Sequence, residues 1–344
     1  MPKTKTYLGL DIGGTKSAVI IGTSAGKLSE RMEWPSNAKL GQEKMLSEII
    51  VNAEKVISKH PGISSVGVSI GGPLDAKNGI IQSPPNLPGW DNIPLKKILE
   101  EKFSLPVHVD HDAGACALAE YYWGAAKNLH SVVYLTCGTG FGLGLVFDGS
   151  IYYGTHGHNC EIGHARYAEE GPVAFGKSGS FESYCAGSSL GRIASWKFPS
   201  VWPKAPTSEE IGRLAEEGNY EALQVVEINA KAVGRACSLI ADMLYPDIII
   251  LGSLANHLGE KWIDKVKSVF HDEVLPDARK VCKITPSVLG RQLQDYSAIA
   301  VAHKMADTGR PSAEMKKGKD FGSDKPHPPC LHPFRVWRVV PCPS

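Results

Sequence analysis

Two glycine turns, each set between runs of apolar and β-branched residues, constrain this 344-residue chain more than any other feature. The first is Asp11-Ile12-Gly13-Gly14-Thr15-Lys16; Thr6 to Asp11 reads as a strand before it and Ser17 to Gly22 as a strand returning after it. The second is Thr136-Cys137-Gly138-Thr139-Gly140-Phe141-Gly142, between strands at Val132 to Thr136 and Phe141 to Phe147. A dinucleotide fingerprint requires a helix where each of these turns is followed by a strand, so neither is a Rossmann motif. Glycine lets backbone N–H groups converge on an anion, and the neighbouring Thr hydroxyls add donors. One such turn is an ordinary hairpin, whereas a pair, one in each half of the chain, points to a phosphate group.

The rest of the chain is consistent with two α/β halves. A helix is predicted near Gln42 to Lys59 and a strand at Ser65 to Ile70, ending in Gly71-Gly72-Pro73. The segment Pro84-Pro85-Asn86-Leu87-Pro88-Gly89-Trp90 is too rich in proline for either regular element. Val107 to Asp110 reads as a strand and the alanine-rich Ala113 to Trp123 as a helix, with His111 and Asp112 at the junction. Helical pattern resumes at Ser208, a long helix is predicted over Ala222 to Leu244, a buried strand over Asp247 to Leu251, and a final helix over Tyr296 to Met305. The length exceeds what a single core usually supports, so two domains around a cleft are expected. Beyond Met305, seven of the 23 prolines fall within 39 residues, and this stretch is expected to be disordered.

Charge and cysteine usage narrow the class of function. With 37 Lys and Arg against 36 Asp and Glu, no global field draws the protein to nucleic acid or to an anionic membrane. The eight cysteines are scattered without a CxxC pair and no signal peptide precedes the first strand, so a cytoplasmic location with reduced thiols is expected. No apolar run approaches the roughly 20 residues of a membrane-spanning helix.

Several side chains are candidates for chemistry. Asp11, at the end of the first strand, can hold a hydrated Mg²⁺ that neutralises a phosphate. Asp112 has two compatible readings: a cap for the helix that follows, or a general base that takes the proton of a hydroxyl during transfer. Glu161, His164 and Glu182 form a polar constellation with His156 and His158 nearby; the spacing of His156, His158, Cys160 and His164 matches none of the common zinc patterns, and ligands for a polyol are the better reading. Gly171-Pro172-Val173-Ala174-Phe175-Gly176-Lys177-Ser178 fits the Walker A pattern letter for letter. It follows Glu169 and Glu170 instead of a buried strand, and two carboxylates would repel a triphosphate, so it is read as a decoy.

In sum, DIGGTK, GGPLD at 71–75, PNLPGW at 85–90, TCGTGFGLG, EIGH at 161–164 and IIILGS at 248–253 resemble the ROK (repressor, open reading frame, kinase) family over about residues 6–305. The resemblance implies an α/β protein of the actin/hexokinase-like (ribonuclease H-like) fold, two domains with mixed five-stranded sheets and a cleft between them. It implies a small domain at 6–112, completed by the helix near 296–305, a larger one at 113–295, and a tail at 306–344. The implied activity is ATP-dependent phosphorylation of a hexose or hexosamine, glucokinase-like and at the 6-hydroxyl, with ATP and Mg²⁺ as cofactors. Asp112 falls on the catalytic Asp; Gly72, Asn86, His111, Asp112, Glu161, His164 and Glu182 fall on the sugar side. Asp11, Gly13, Gly14, Thr15, Lys16, Thr136, Gly138, Thr139, Gly140 and Gly252 fall on the nucleotide side.

The chain departs from the family pattern at three places. His111 stands where many members have Asn, and Ser253 replaces the second glycine of the nucleotide-side pair. Of the family's zinc motif only His164 remains, with Val173, Phe175 and Ser180 at the cysteine places, so no zinc is expected. The family's repressors carry a helix-turn-helix domain ahead of the first hairpin; with DIGGTK starting at residue 11, none is expected here, nor a nucleic-acid partner. The partners expected are a small sugar and a second copy of the chain in a homodimer. A sugar-binding or regulatory protein without catalysis is the alternative.

Overall fold

The computed structural model describes residues 4–154 and 158–307. His156 and the Pro-rich stretch from 308 onward lie outside these described residues.

The first hairpin is β1 (Thr6–Ile12) and β2 (Lys16–Thr23), and β2 continues through a second turn into β3 (Leu28–Pro35). β3 alternates exposed and half-buried residues along its whole length, as a strand at a sheet edge does. Helix α1 (Gln42–Ile57) leads to β4 (Ile63–Ile70), and α2 (Leu95–Phe103) leads to β5 (Val107–His111). The sheet order is β3-β2-β1-β4-β5, with the hairpins antiparallel and β1, β4 and β5 parallel.

Helix α3 (Asp112–Trp123) follows β5 directly and passes to a second sheet built on the same plan. Its strands are β6 (Ser131–Leu135), β7 (Leu143–Phe147), β8 (Ser150–Ile151), β9 (Ile248–Leu251) and β10 (Lys283–Pro286), in the order β8-β7-β6-β9-β10. Again the hairpin strands are antiparallel and the other three parallel. The expectation of two mixed five-stranded sheets holds. The returning strand starts at Leu143, two residues later than its apolar pattern predicts, because Phe141 and Gly142 are used to close the turn.

Between β8 and β9 lie α4 (Phe181–Cys185), α5 (Ser189–Lys197), α6 (Ser208–Glu216) and the 25-residue α7 (Tyr220–Leu244). After β9 come α8 (Ser253–Glu273), which contains a kink at Gly259, α9 (Pro276–Val281) and α10 (Leu293–Asp307). Apolar side chains of both sheets are buried, and one cluster joins β1, β4 and β5 to α1 and α2 while another joins β6, β7 and β9 to α4 through α9. Helix α10 lies against β1 and β4 of the first sheet and against α3. Its approach is close enough that a Cβ on Gly67 would fall 2.2 Å from the Ala298 carbonyl, so only glycine fits there. Among the described residues no helix is long and apolar enough to cross a membrane.

Candidate active site

Each predicted nucleotide and catalytic element sits where a parallel strand ends: Asp11 on β1, Gly71-Gly72 after β4, His111-Asp112 after β5, the second glycine turn after β6, and Gly252 after β9. Ligands of α/β sheets bind beyond the carboxyl ends of such strands.

In the first turn, Gly13 N–H donates to the Lys16 carbonyl at 3.1 Å and Ser36 Oγ donates to the Gly13 carbonyl. The amides of Gly14 and Thr15 take no part in the hydrogen bonds of the turn among the described residues. A Cβ on Gly14 would stand 2.5 Å from the Asn86 carbonyl, so the proline-rich loop, anchored by buried Leu87 and Trp90, rests on this turn. The sequence reading separates Asn86 from the hairpin by function; the fold makes them neighbours. Lys16 does not point freely from the turn: its ammonium pairs with Glu33 of β3 at 2.9 Å.

In the second turn, Thr136 N–H donates to the Gly142 carbonyl at 2.9 Å, and Gly142 N–H donates to Thr136 Oγ1 at 2.7 Å. The amides of Thr139 and Gly140 are outside these bonds. The turn lies over the first residues of α3, since a Cβ on Gly142 would be 3.7 Å from that of Ala113. It also meets the start of α8: a Cβ on Gly138 would be 3.5 Å from Ser253 Oγ. The first residues of α8 thus sit against this turn, and Leu254 N–H donates to the Cys137 carbonyl at 3.2 Å. Gly252 is required there because a Cβ would lie 2.5 Å from Tyr134 Oη.

Asp112 is the first residue of α3, and the cap belongs to His111, whose Nδ1 accepts from Ala113 N–H at 3.3 Å. The reading of Asp112 as the cap is corrected to that extent, although its Oδ1 also accepts from Ala113 N–H at 2.6 Å. The carboxylate of Asp112 is 43% exposed. Gly72 lies under the His111 ring: a Cβ on it would be 2.7 Å from His111 Cδ2.

Asp11 is held up to about 7, first by its burial and then by the nearby carboxylates of Asp112 and Asp295, against the lowering pull of Lys16 and Arg31. Asp11, near the end of β1, and Asp112, at the start of α3, are thus close enough for the charge of one to raise the pKa of the other. Asp295, on α10, is itself held by Arg31, whose Nε donates to Oδ1 at 2.9 Å and to Oδ2 at 3.0 Å. Neither Arg31 nor Asp295 carries a sequence signal, because the pair spans 264 positions.

Glu182 completes the arrangement from α4. It is 6% exposed, its Oε2 accepts from Phe141 N–H at 2.6 Å, and its Oε1 is buried without a partner among the described residues. Burial pushes its pKa up, with Glu161 adding to the effect. Glu161 precedes and His164 ends the short 3-10 turn Ile162–His164, both exposed. Gly163 packs between the two halves of the site, since a Cβ would lie 2.5 Å from the Phe141 carbonyl and 3.2 Å from Glu182 Oε2. Another missed residue is Gly187, where a Cβ would meet the Gly138 carbonyl at 2.7 Å.

The segment read as a possible P-loop is a small antiparallel hairpin, Val173–Ala174 with Lys177–Ser178, and no helix follows its lysine directly. Val173 and Phe175 are 58% and 67% exposed, and Ser180 caps α4 by accepting from Ser183 N–H.

Two mixed five-stranded sheets of matching order, each with a glycine turn after its first strand, define the actin/hexokinase-like fold. A profile of the ROK family matches residues 7–305, and the chain belongs to that family. It is 30% identical over 300 residues to a glucokinase of Halalkalibacterium halodurans, covering 83% of this chain and 91% of that protein. A xylose repressor of Caldicellulosiruptor bescii is 27% identical over 286 residues, covering 77% and 70%. The crystal structure of a ROK hexokinase from Thermus thermophilus superposes with a TM-score of 0.77 at 28% identity, covering 88% of this chain and all of that one. A ROK family glucokinase from Streptomyces griseus in complex with glucose and AMPPNP gives 0.74 at 25% identity, covering 87% and 99%.

Proposed function

We propose that this protein is an ATP-dependent sugar kinase, glucokinase-like, that phosphorylates the 6-hydroxyl of a hexose or hexosamine. The observation that carries the reading is Glu182: a buried carboxylate with one oxygen on the second glycine turn and the other unpartnered, as a fixed acceptor for a sugar hydroxyl would be. The glucose and AMPPNP bound by the similar Streptomyces griseus enzyme support the same pair of ligands here.

In this reading the free amides of Gly14, Thr15, Thr139 and Gly140 receive the phosphates. Thr136, Gly138 and Gly252 shape that surface, and Lys16 reaches it by leaving Glu33. Asp11, whose carboxylate is crowded by other acids and would be relieved by a cation, would hold a hydrated Mg²⁺, which would supply charge neutralisation for the transferred group. Asn86, Gly72, His111, Glu161, His164 and Glu182 surround the sugar, and Asp112 takes the proton of the attacking hydroxyl. Residues 6–112 with the helix near 296–305 form one domain and 113–295 the other, and closure between them aligns hydroxyl and γ-phosphate. The protein works in the cytoplasm as a homodimer.

An ATP-consumption assay across hexoses, N-acetylhexosamines and ketoses tests this. Turnover of at least one sugar is expected. Tight sugar binding with no turnover of any would favour a regulatory role, the alternative kept open by the xylose repressors among its relatives.

A further inference from the structure

The Walker-like lysine is free of ion pairs among the described residues, and its ammonium is not idle. Lys177 Nζ donates to the main-chain carbonyl of His164 at 2.5 Å, across 13 positions of sequence. That carbonyl closes the 3-10 turn Ile162–His164, where oxygens of the last residues have no partner within the turn and favour a cation. The hairpin that carries Lys177 is itself fixed. Arg166 Nη1 donates to the carbonyls of Ala168 at 3.2 Å and Ser178 at 3.3 Å, and Ser178 Oγ donates to Gly171 O at 3.0 Å. Phe181 N–H, one residue before Glu182, returns to the Ala165 carbonyl at 2.9 Å.

We infer that Lys177 and Arg166 form a clasp of cations on carbonyls that positions the sugar side of the site, with Lys177 setting the turn between Glu161 and His164. The clasp touches main chain only, so both residues are positioning residues. Lys177 is half-buried, and its charge-assisted bond falls on the turn that carries two predicted sugar ligands. Nothing in this geometry links Lys177 to either glycine turn. The GxxxxGK[ST] match, a decoy as a nucleotide loop, has its role on the sugar side.

The inference rests on the kinase reading given above, and two measurements keep the two separable. With the best sugar of the wild type, Lys177→Met should raise the KM for sugar roughly ten-fold while the KM for MgATP stays within about two-fold, and Lys177→Arg should restore most of the loss. A rise in the KM for MgATP with the sugar KM unchanged, or no change in either, overturns the inference. Independently of any substrate, hydrogen exchange of the amides of residues 161–165 should accelerate in Lys177→Met while residues 136–142 keep their wild-type protection. Equal protection of 161–165 in both proteins also overturns it. Absence of sugar turnover by the wild type counts against the kinase alone and leaves the exchange result to decide the clasp.

Discussion

The N–H of Phe141 donates to Oε2 of Glu182 at 2.6 Å, which ties the second glycine turn to the carboxylate whose other oxygen is buried and unpartnered. In the proposed reading, nucleotide side and sugar side are therefore joined through one side chain. Glu182→Ala should raise the KM for sugar by roughly 10-fold or more and, by releasing the turn, raise the KM for MgATP several-fold as well. Glu182→Gln keeps the shape and should retain most of the MgATP affinity. A Glu182→Ala enzyme with a normal KM for both substrates would contradict the coupling.

Asp11 should leave a mark on stability as a function of pH. Its folded value, about 7, lies above the ordinary carboxylate value, so the folded state binds more protons than the unfolded state between roughly pH 4 and 7. Stability without ligand therefore falls as pH rises through that window, and the cost is full above pH 7. Asp11→Asn should raise the metal-free melting temperature at pH 8 by roughly a few degrees and by much less at pH 5. Thermal unfolding in the presence of a chelator, at both pH values, checks this. Because Mg²⁺ needs the ionised form, the same substitution should raise the Mg²⁺ concentration needed for half-maximal turnover.

The purified protein should carry no stoichiometric zinc. Val173 and Phe175 offer no donor atom, and Ser180 is engaged as the cap of α4. Elemental analysis giving about one zinc per chain would contradict the expectation, and His158 and Cys160 would then be the first residues to substitute.

Much of this site was legible because its glycines answer to local chemistry. A tight turn between two strands writes itself as Gly13-Gly14 or Gly138-Thr139-Gly140, and the apolar runs on either side mark the strands. Edge strand β3, whose residues alternate and carry four charges or hydroxyls, offered no such run, and β10 is only four residues long. Helix α8 went unread because Gly259, at a positive φ of 70°, interrupts its period. The cap of α3 was assigned one residue late: His111 can accept through Nδ1, a role that composition assigns first to Asp. Asp295 and Arg31 could not be found at all, since the contact exists only once α10 lies on the first sheet.

Gly14 tests how tightly the two loops on the first sheet are packed. With a Cβ falling 2.5 Å from the Asn86 carbonyl, Gly14→Ala must displace the 84–90 loop, and both substrates should bind more weakly, by roughly 10-fold or more. Gly176→Ala, at a turn where nothing approaches within 4 Å, is the control for handling effects, though its φ of 73° costs some local stability. Equal kinetics for Gly14→Ala and wild type would mean that Asn86 moves without consequence.

Turnover and sugar affinity of Asp112→Asn, measured together with thermal unfolding, bear most directly on the proposed chemistry. The helix cap is held by His111, and Asn preserves the shape of Asp112, so melting temperature and sugar Kd should stay near wild type. The proton acceptor is gone, so kcat should fall by roughly 10²-fold or more. A variant that folds normally, binds sugar normally and turns over at close to the wild-type rate would show that another group accepts the proton and that Asp112 is not the base.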